Sequence, residues 1–219
     1  MKRSWRTLRA TFAAAVAVAL GAHAADADLG VNARLVASAR SGDVASVRRL
    51  LADGASPDAR NRIGETALVI ALKRDDASMA GAMLDAGTDV NLAAVNGITP
   101  LMAAAFAGRT DLVEALLARG ADPRPSDRIG KTAMVYAAGQ GHAAVVSALL
   151  AHGVDANLRY RNDLTALMWA AGYGRDEAVR VLRASGARTD LRDNRGKSAA
   201  DIARDAGFAR TADLIEEKP

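Results

Sequence analysis

Apolar and polar positions alternate along this chain in short helical bursts, and the stretch from Asn96 to Arg128 (NGITPLMAAAFAGRTDLVEALLARGADPRPSDR) shows the pattern most clearly. Leu101, Met102, Ala104 and Ala105 form a first apolar burst. Leu112, Val113, Leu116 and Leu117 form a second, spaced three and four apart as on one stripe of an amphipathic helix. Thr99 before Pro100 predicts a capped helix start, because the threonine oxygen can accept a backbone N–H and proline at the first helical position gives up no bond. Gly108 predicts a left-handed end to that helix. The second helix starts near Asp111, with Asp111 and Glu114 at its positive end, Arg119 in its last turn and Gly120 closing it. Residues 121–128, with Pro123 and Pro125, predict an extended turn.

The same unit recurs. The residue before the x-Thr opening falls at Gly64, Gly97, Gly130, Asp163 and Gly196, and the glycine after the second helix at Gly54, Gly87, Gly120, Gly153 and Gly186. Both series step by 33 residues without insertion. Two short helices cannot bury their apolar stripes alone, so such units must stack. The expected architecture is an all-α solenoid of helix–turn–helix units with aligned turn tips, spanning residues 31–219. The units run 31–62 as an N-terminal cap, then 63–95, 96–128, 129–161, 162–194, and 195–219 as a C-terminal cap. The first unit lacks the Gly-x-Thr opening, as a terminal repeat with one wet side should. In the second, Asp75-Asp76 replaces the helix-ending glycine and Gly81 interrupts the second helix, at a cost of about 1 kcal/mol relative to alanine. Asp163 stands where glycine is usual, and aspartate is among the few residues that tolerate a left-handed backbone.

These copies resemble ankyrin repeats, whose pattern is roughly G-x-T-P-L-H-x-A-A-x-x-G-H-x-x-I-V-x-x-L-L-x-x-G-A-D-x-N. Thr66, Thr99, Thr132 and Thr165 match it, as do Gly108, Gly141 and Gly174, the leucine pairs at 116–117 and 149–150, and the closing Gly120-Ala121-Asp122, Asp89-Val90-Asn91 and Asp155-Ala156-Asn157. The resemblance covers Leu35 to Ile215. One departure is consistent: Val69, Met102, Val135 and Met168 replace the histidine that ties neighbouring repeats in the family, which implies more reliance on apolar packing.

The N-terminus has a different layout. Lys2, Arg3, Arg6 and Arg9 precede an eleven-residue apolar run, Ala10 to Leu20, followed by Ala22-His23-Ala24. That is the pattern of a cleavable secretory signal over 1–24, with a short leader at 25–30 and the mature chain starting near Ala25. The run is too short to favour an uncleaved membrane anchor. The whole chain has 29 basic and 25 acidic residues; the leader holds four basic and no acidic ones, so 29 − 4 = 25 basic against 25 acidic remain. The basic sequence pI of about 9.7 thus originates in the leader, and the electrostatic argument for a nucleic-acid partner falls away. The expected compartment is a bacterial periplasm. With no cysteine, there is no disulfide framework, thiolate metal site or cysteine nucleophile.

Nothing in the remaining sequence assembles a nucleophile, a base and an orienting group. His142 falls in a slot that ends a helix in the repeat pattern, and His152 precedes a helix-ending glycine. Gly130-Lys131-Thr132 resembles the end of a phosphate-binding loop but lacks its upstream glycine and strand. No cofactor, metal or catalytic residue is expected. The family resemblance implies instead that partners bind a concave face made by turn tips and the exposed side of each first helix. Carried onto this sequence, the candidate contacts are Arg60, Arg62, Phe106, Arg128, Arg159, Tyr160, Arg161, Tyr173, Arg192 and Arg195. The arginines make a basic ridge that could steer an acidic protein, against the alternative that tips are merely solvated. Tyr136 and Trp169 share a slot that reads as packing. The functional expectation is a monomeric, non-enzymatic protein-binding scaffold or protective partner, with an immunity or inhibitor protein blocking a secreted toxin or enzyme as the alternative. An enzyme and a nucleic-acid binder rank behind both.

Overall fold

A computed structural model describes residues 30–217; the proposed leader over 1–24 lies outside the described residues. Among the described residues twelve α-helices form six pairs: α1 (Val31–Ser41) with α2 (Val44–Ala52), α3 (Ala67–Lys73) with α4 (Ala77–Asp85), α5 (Pro100–Ala107) with α6 (Thr110–Ala118), α7 (Ala133–Gln140) with α8 (Ala143–Ala151), α9 (Ala166–Gly172) with α10 (Asp176–Ala184), and α11 (Ala199–Asp205) with α12 (Ala209–Glu216). First helices pack on first helices along one layer, and second helices form the other. Contact between α4 and α6 is the sparsest step in that second layer, where Gly81 leaves α4 thin. No helix among the described residues is long and apolar enough to cross a membrane.

Local chemistry starts the first helix of each of the four internal units in the same way, whereas α1 follows Gly30 with no side-chain cap. The hydroxyls of Thr66, Thr99, Thr132 and Thr165 accept the N–H groups of Val69, Met102, Val135 and Met168. In the C-terminal unit Ser198 and Asp201 cap each other reciprocally. Val69, Met102, Val135 and Met168 are buried at 0, 1, 1 and 2 % exposure, so the slot that holds a histidine in the resembled family is apolar core here.

The polar ties between units sit elsewhere, at the start of the second helix. His142 Nε2–H donates to Phe106 O at 3.0 Å, and Arg175 Nε–H donates to Gly139 O at 3.0 Å. Arg109 pairs with Asp75 of the preceding unit. His142 also explains why Gly108 must be glycine. It is left-handed (φ +74°), and a Cβ there would stand 2.6 Å from the imidazole. Where glycine is missing, aspartate adopts the same backbone, at Asp75 (φ 58°) and Asp163 (φ 58°).

The long loops after the second helices are stitched by side-chain amides. Asn91 Oδ1 accepts the Asp122 N–H at 2.8 Å and its Nδ2 donates to Gly120 O at 3.1 Å. Asn157 repeats this with Arg188 N–H at 2.7 Å and Gly186 O at 3.1 Å. At the tips Asp127 and Asp193, both buried, each accept two backbone N–H groups.

Candidate partner-binding face

Stacking the first helices brings four aromatic side chains, two units apart at most in sequence, into one stripe. Phe106 on α5 meets Tyr136 on α7 edge to face, with ring centroids 5.7 Å apart. Trp169 on α9 stacks on Tyr173 at 6.2 Å. Lys131 joins the two pairs: its Nζ lies 5.6 Å from the Tyr136 ring centroid and 4.7 Å from that of Trp169. Phe106 and Tyr173, at the two ends, are 53 and 49 % exposed. Tyr136 and Trp169 between them are half-buried, so the slot read from sequence as packing also forms part of the exposed stripe.

The stripe is anchored by polar chemistry beneath it. Tyr136 OH donates to Asp127 Oδ2 at 2.5 Å. Burial first, and then that carboxylate, push the phenol well above its ordinary pKa, so it stays a neutral donor. Asp127 in turn accepts the backbone N–H groups of Ile129 and Lys131, which sets where the lysine starts. The indole Nε1 of Trp169 is buried with no hydrogen-bond partner. Beside Phe106 and Tyr136 opens a cavity of about 590 Å³ floored by Ile98, Ala103 and Ala107.

The arginine ridge is divided by the structure. Arg60, Arg62, Arg128, Arg159, Arg161, Arg192 and Arg195 are all exposed. Three of them are matched by acids on or near their own tips: Arg159 with Asp163 (3.7 Å), Arg192 with Asp201 (3.5 Å) and Arg195 with Asp193 (2.7 Å). Arg161 instead lays its aliphatic stem on Gly130, next to Lys131. Tyr160, expected as an exposed tip residue, packs against the core with its hydroxyl buried and unpartnered, and burial pushes its pKa up to about 12. The reason is its register: it occupies the buried tip position held by Asp127 and Asp193 in neighbouring loops. His142 and His152 bond backbone carbonyls, and among the described residues no group of three or more histidines and carboxylates is placed to hold a metal.

A family model described as ankyrin repeats (3 copies) matches residues 35–127 and 120–193. The chain belongs to the ankyrin repeat family. The fold matches the crystal structure of EF0377, an ankyrin repeat protein, with a TM-score of 0.76 at 29 % identity over 84 % of this chain and 97 % of that one. Two curated proteins from Bos taurus share shorter stretches. The inactive serine/threonine-protein kinase TEX14 is 36 % identical over 78 residues, 36 % of this chain, and a mitochondrial disaggregase is 43 % identical over 61 residues, 28 % of this chain. The chain spans only 5 and 9 % of those proteins' lengths. Ankyrin repeats are protein–protein interaction modules and the fold is typically non-catalytic, which makes the aromatic stripe and its flanking tips the part of the surface to read for function.

Proposed function

We propose that this chain is a non-enzymatic, monomeric protein-binding module, exported by residues 1–24 and serving in a bacterial periplasm as a scaffold or protective partner of another protein. The observation that carries the binding role is the stripe from Phe106 to Tyr173. Exposed aromatic rings beside lysine and arginine, on a ground layer of stacked helices, are the composition of an interface hot spot. Because every rung is held by core packing and inter-unit bonds, little ordering entropy is lost when a partner docks. The basic pattern, apolar run and Ala-x-Ala of the leader support export.

Expression of the full chain with a C-terminal tag in a Gram-negative host tests both parts. A mature N-terminus near Ala25 in the osmotic-shock fraction supports export, and full-length product confined to the cytosol refutes it. Capture of partners from that fraction should weaken when Arg128, Arg159 and Arg161 are reversed in charge; unchanged capture removes the ridge from the interface. If the captured protein is an enzyme or toxin whose activity falls on binding, the inhibitor role replaces the scaffold.

A further inference from the structure

Charge and shape on this face together narrow the kind of partner it accepts. The rim of the cavity beside Phe106 is electrically satisfied: Lys73 pairs with Glu65 at 2.6 Å, and Asp75 with Arg109. What the cavity offers is therefore apolar, from Ile98, Ala103, Ala107 and the faces of Phe106 and Tyr136. One step along the stripe the balance changes. Lys131 sits over Tyr136 and Trp169, and among the described residues no carboxylate lies within ion-pairing distance of it, nor of Arg128 or Arg161 on the adjoining tips. Aromatic faces hold an ammonium without neutralising it. A carboxylate arriving there would meet a cation already fixed in place and partly shielded from water, where an ion pair is stronger than at the open surface.

We infer that the stripe takes a short, extended acidic peptide segment of the partner, with a leucine-, isoleucine- or phenylalanine-like anchor filling the cavity between Phe106 and Tyr136 and a nearby aspartate or glutamate pairing with Lys131. This rests on the protein-binding reading above and specifies its partner. A single-stranded nucleic acid could also use aromatic rings and cations, but it needs a continuous run of cations for successive phosphates. Here the C-terminal half of the ridge is self-neutralised through Asp163, Asp201 and Asp193.

The test is selection of a random dodecapeptide phage library on the immobilised full chain, with a Lys131→Glu variant as counter-selection. The enriched sequences should combine a carboxylate with a bulky apolar residue a few positions away. A synthetic peptide of the enriched sequence should bind roughly tenfold more weakly to Lys131→Glu and to Phe106→Ala, and near normally to Lys131→Arg. Lys131→Met removes the positive charge without reversing it, should the glutamate variant melt early. Enrichment of basic or uncharged peptides, no enrichment, or equal affinity for Lys131→Glu overturns the inference. So does tighter binding of an oligo-uridylate than of the selected peptide. If a protein partner is captured whose affinity ignores Lys131, the acidic-peptide inference fails while the protein-binding reading stands; if no protein is captured at all, the broader reading fails.

Discussion

Two neighbouring loop junctions in this solenoid are built differently. Where the loop after α8 meets the loop after α10, Asn157 clamps both Gly186 and Arg188, and the tips share a backbone bond from Asn194 N–H to Asn162 O at 3.1 Å. Where the loop after α6 meets the loop after α8, the equivalent position is Arg124. Its guanidinium turns back on its own Asp122 at 2.9 Å, its side chain is 85 % exposed, and no backbone bond joins the two tips among the described residues. A cleft of about 570 Å³ opens there, reaching Gly153, Asp155 and Tyr160. This junction relies on the helix-side tie of His142 on Phe106 and Gly108, the counterpart of Arg175 on Gly139 at the other junction. The comparison shows that the helix-side tie recurs at both junctions, and that the amide clamp between loops is an addition one of them does without.

The largest expected effect probes that helix-side fastening. Gly108→Ala forces a left-handed alanine, at about 1–2 kcal/mol, and drives its Cβ into an imidazole held by a hydrogen bond. Gly141→Ala bears the same backbone cost, but its new Cβ comes no nearer than 2.9 Å to Arg175 Cδ, on a flexible stem that can bend at the expense of its Nε–H bond to Gly139 O. Denaturant unfolding should give a loss of about 2–4 kcal/mol for Gly108→Ala and about 1–2 kcal/mol for Gly141→Ala. Equal losses would mean the junction between the third and fourth units does not lean on His142.

Next come the clamps themselves. Asn157→Ala removes two hydrogen bonds and should cost about 1–2 kcal/mol. Arg124→Asn should do the reverse, offering Gly153 O a donor and Asp155 N–H an acceptor, and stabilise by about 1 kcal/mol, or a rise of about 2–4 °C in Tm. The gain should appear as slowed exchange of the Asp155 amide. An unchanged Asp155 amide would show the cleft to be too wide for the clamp to close.

Much of this was legible in the residues. The 33-residue step and the Thr and Gly positions dictate caps and left-handed ends through local backbone chemistry, which needs no knowledge of the third dimension. Asp163 adopting the glycine conformation belongs to the same class. The aromatic stripe does not. Tyr136 and Trp169 share one phase of the repeat but Phe106 and Tyr173 sit at two others, and only the rotation between stacked units decides that the four meet. The neutralised arginines were hidden for a similar reason: pairing of Arg192 with Asp201 depends on how a tip folds over the next helix start. Tyr160 shows that one substitution within a repeat register, tyrosine for aspartate, can turn a tip residue inward. Aligning positions 61, 94, 127, 160 and 193 side by side is the signal that would have found it.

The smallest expected effect separates the same two junctions by pH. The tip after α10 is built on Asp193, whose side chain is 1 % exposed. Burial alone would raise its pKa, but the N–H groups of Lys197 and Arg195 and the Arg195 guanidinium outweigh it, and the carboxyl titrates below its ordinary 3.8. A depressed pKa means that the fold favours the ionised form. Its stabilisation is therefore fully present above about pH 4 and is lost as pH falls through the lowered value. The tip after α8 has Tyr160 at the same register, so its buried position holds no carboxyl, and its one acid, Asp163, is exposed and paired with Arg159. Amide NMR shifts of Arg195 and Lys197 should accordingly move together at a pH below 3.8, while that of Tyr160, whose N–H bonds the Leu164 carbonyl, stays still. Asp193→Asn should abolish the first change and leave the second region untouched. Simultaneous movement of both tips would show that acid loosens the stack as one body, and that the two junctions are mechanically coupled despite their different fastenings.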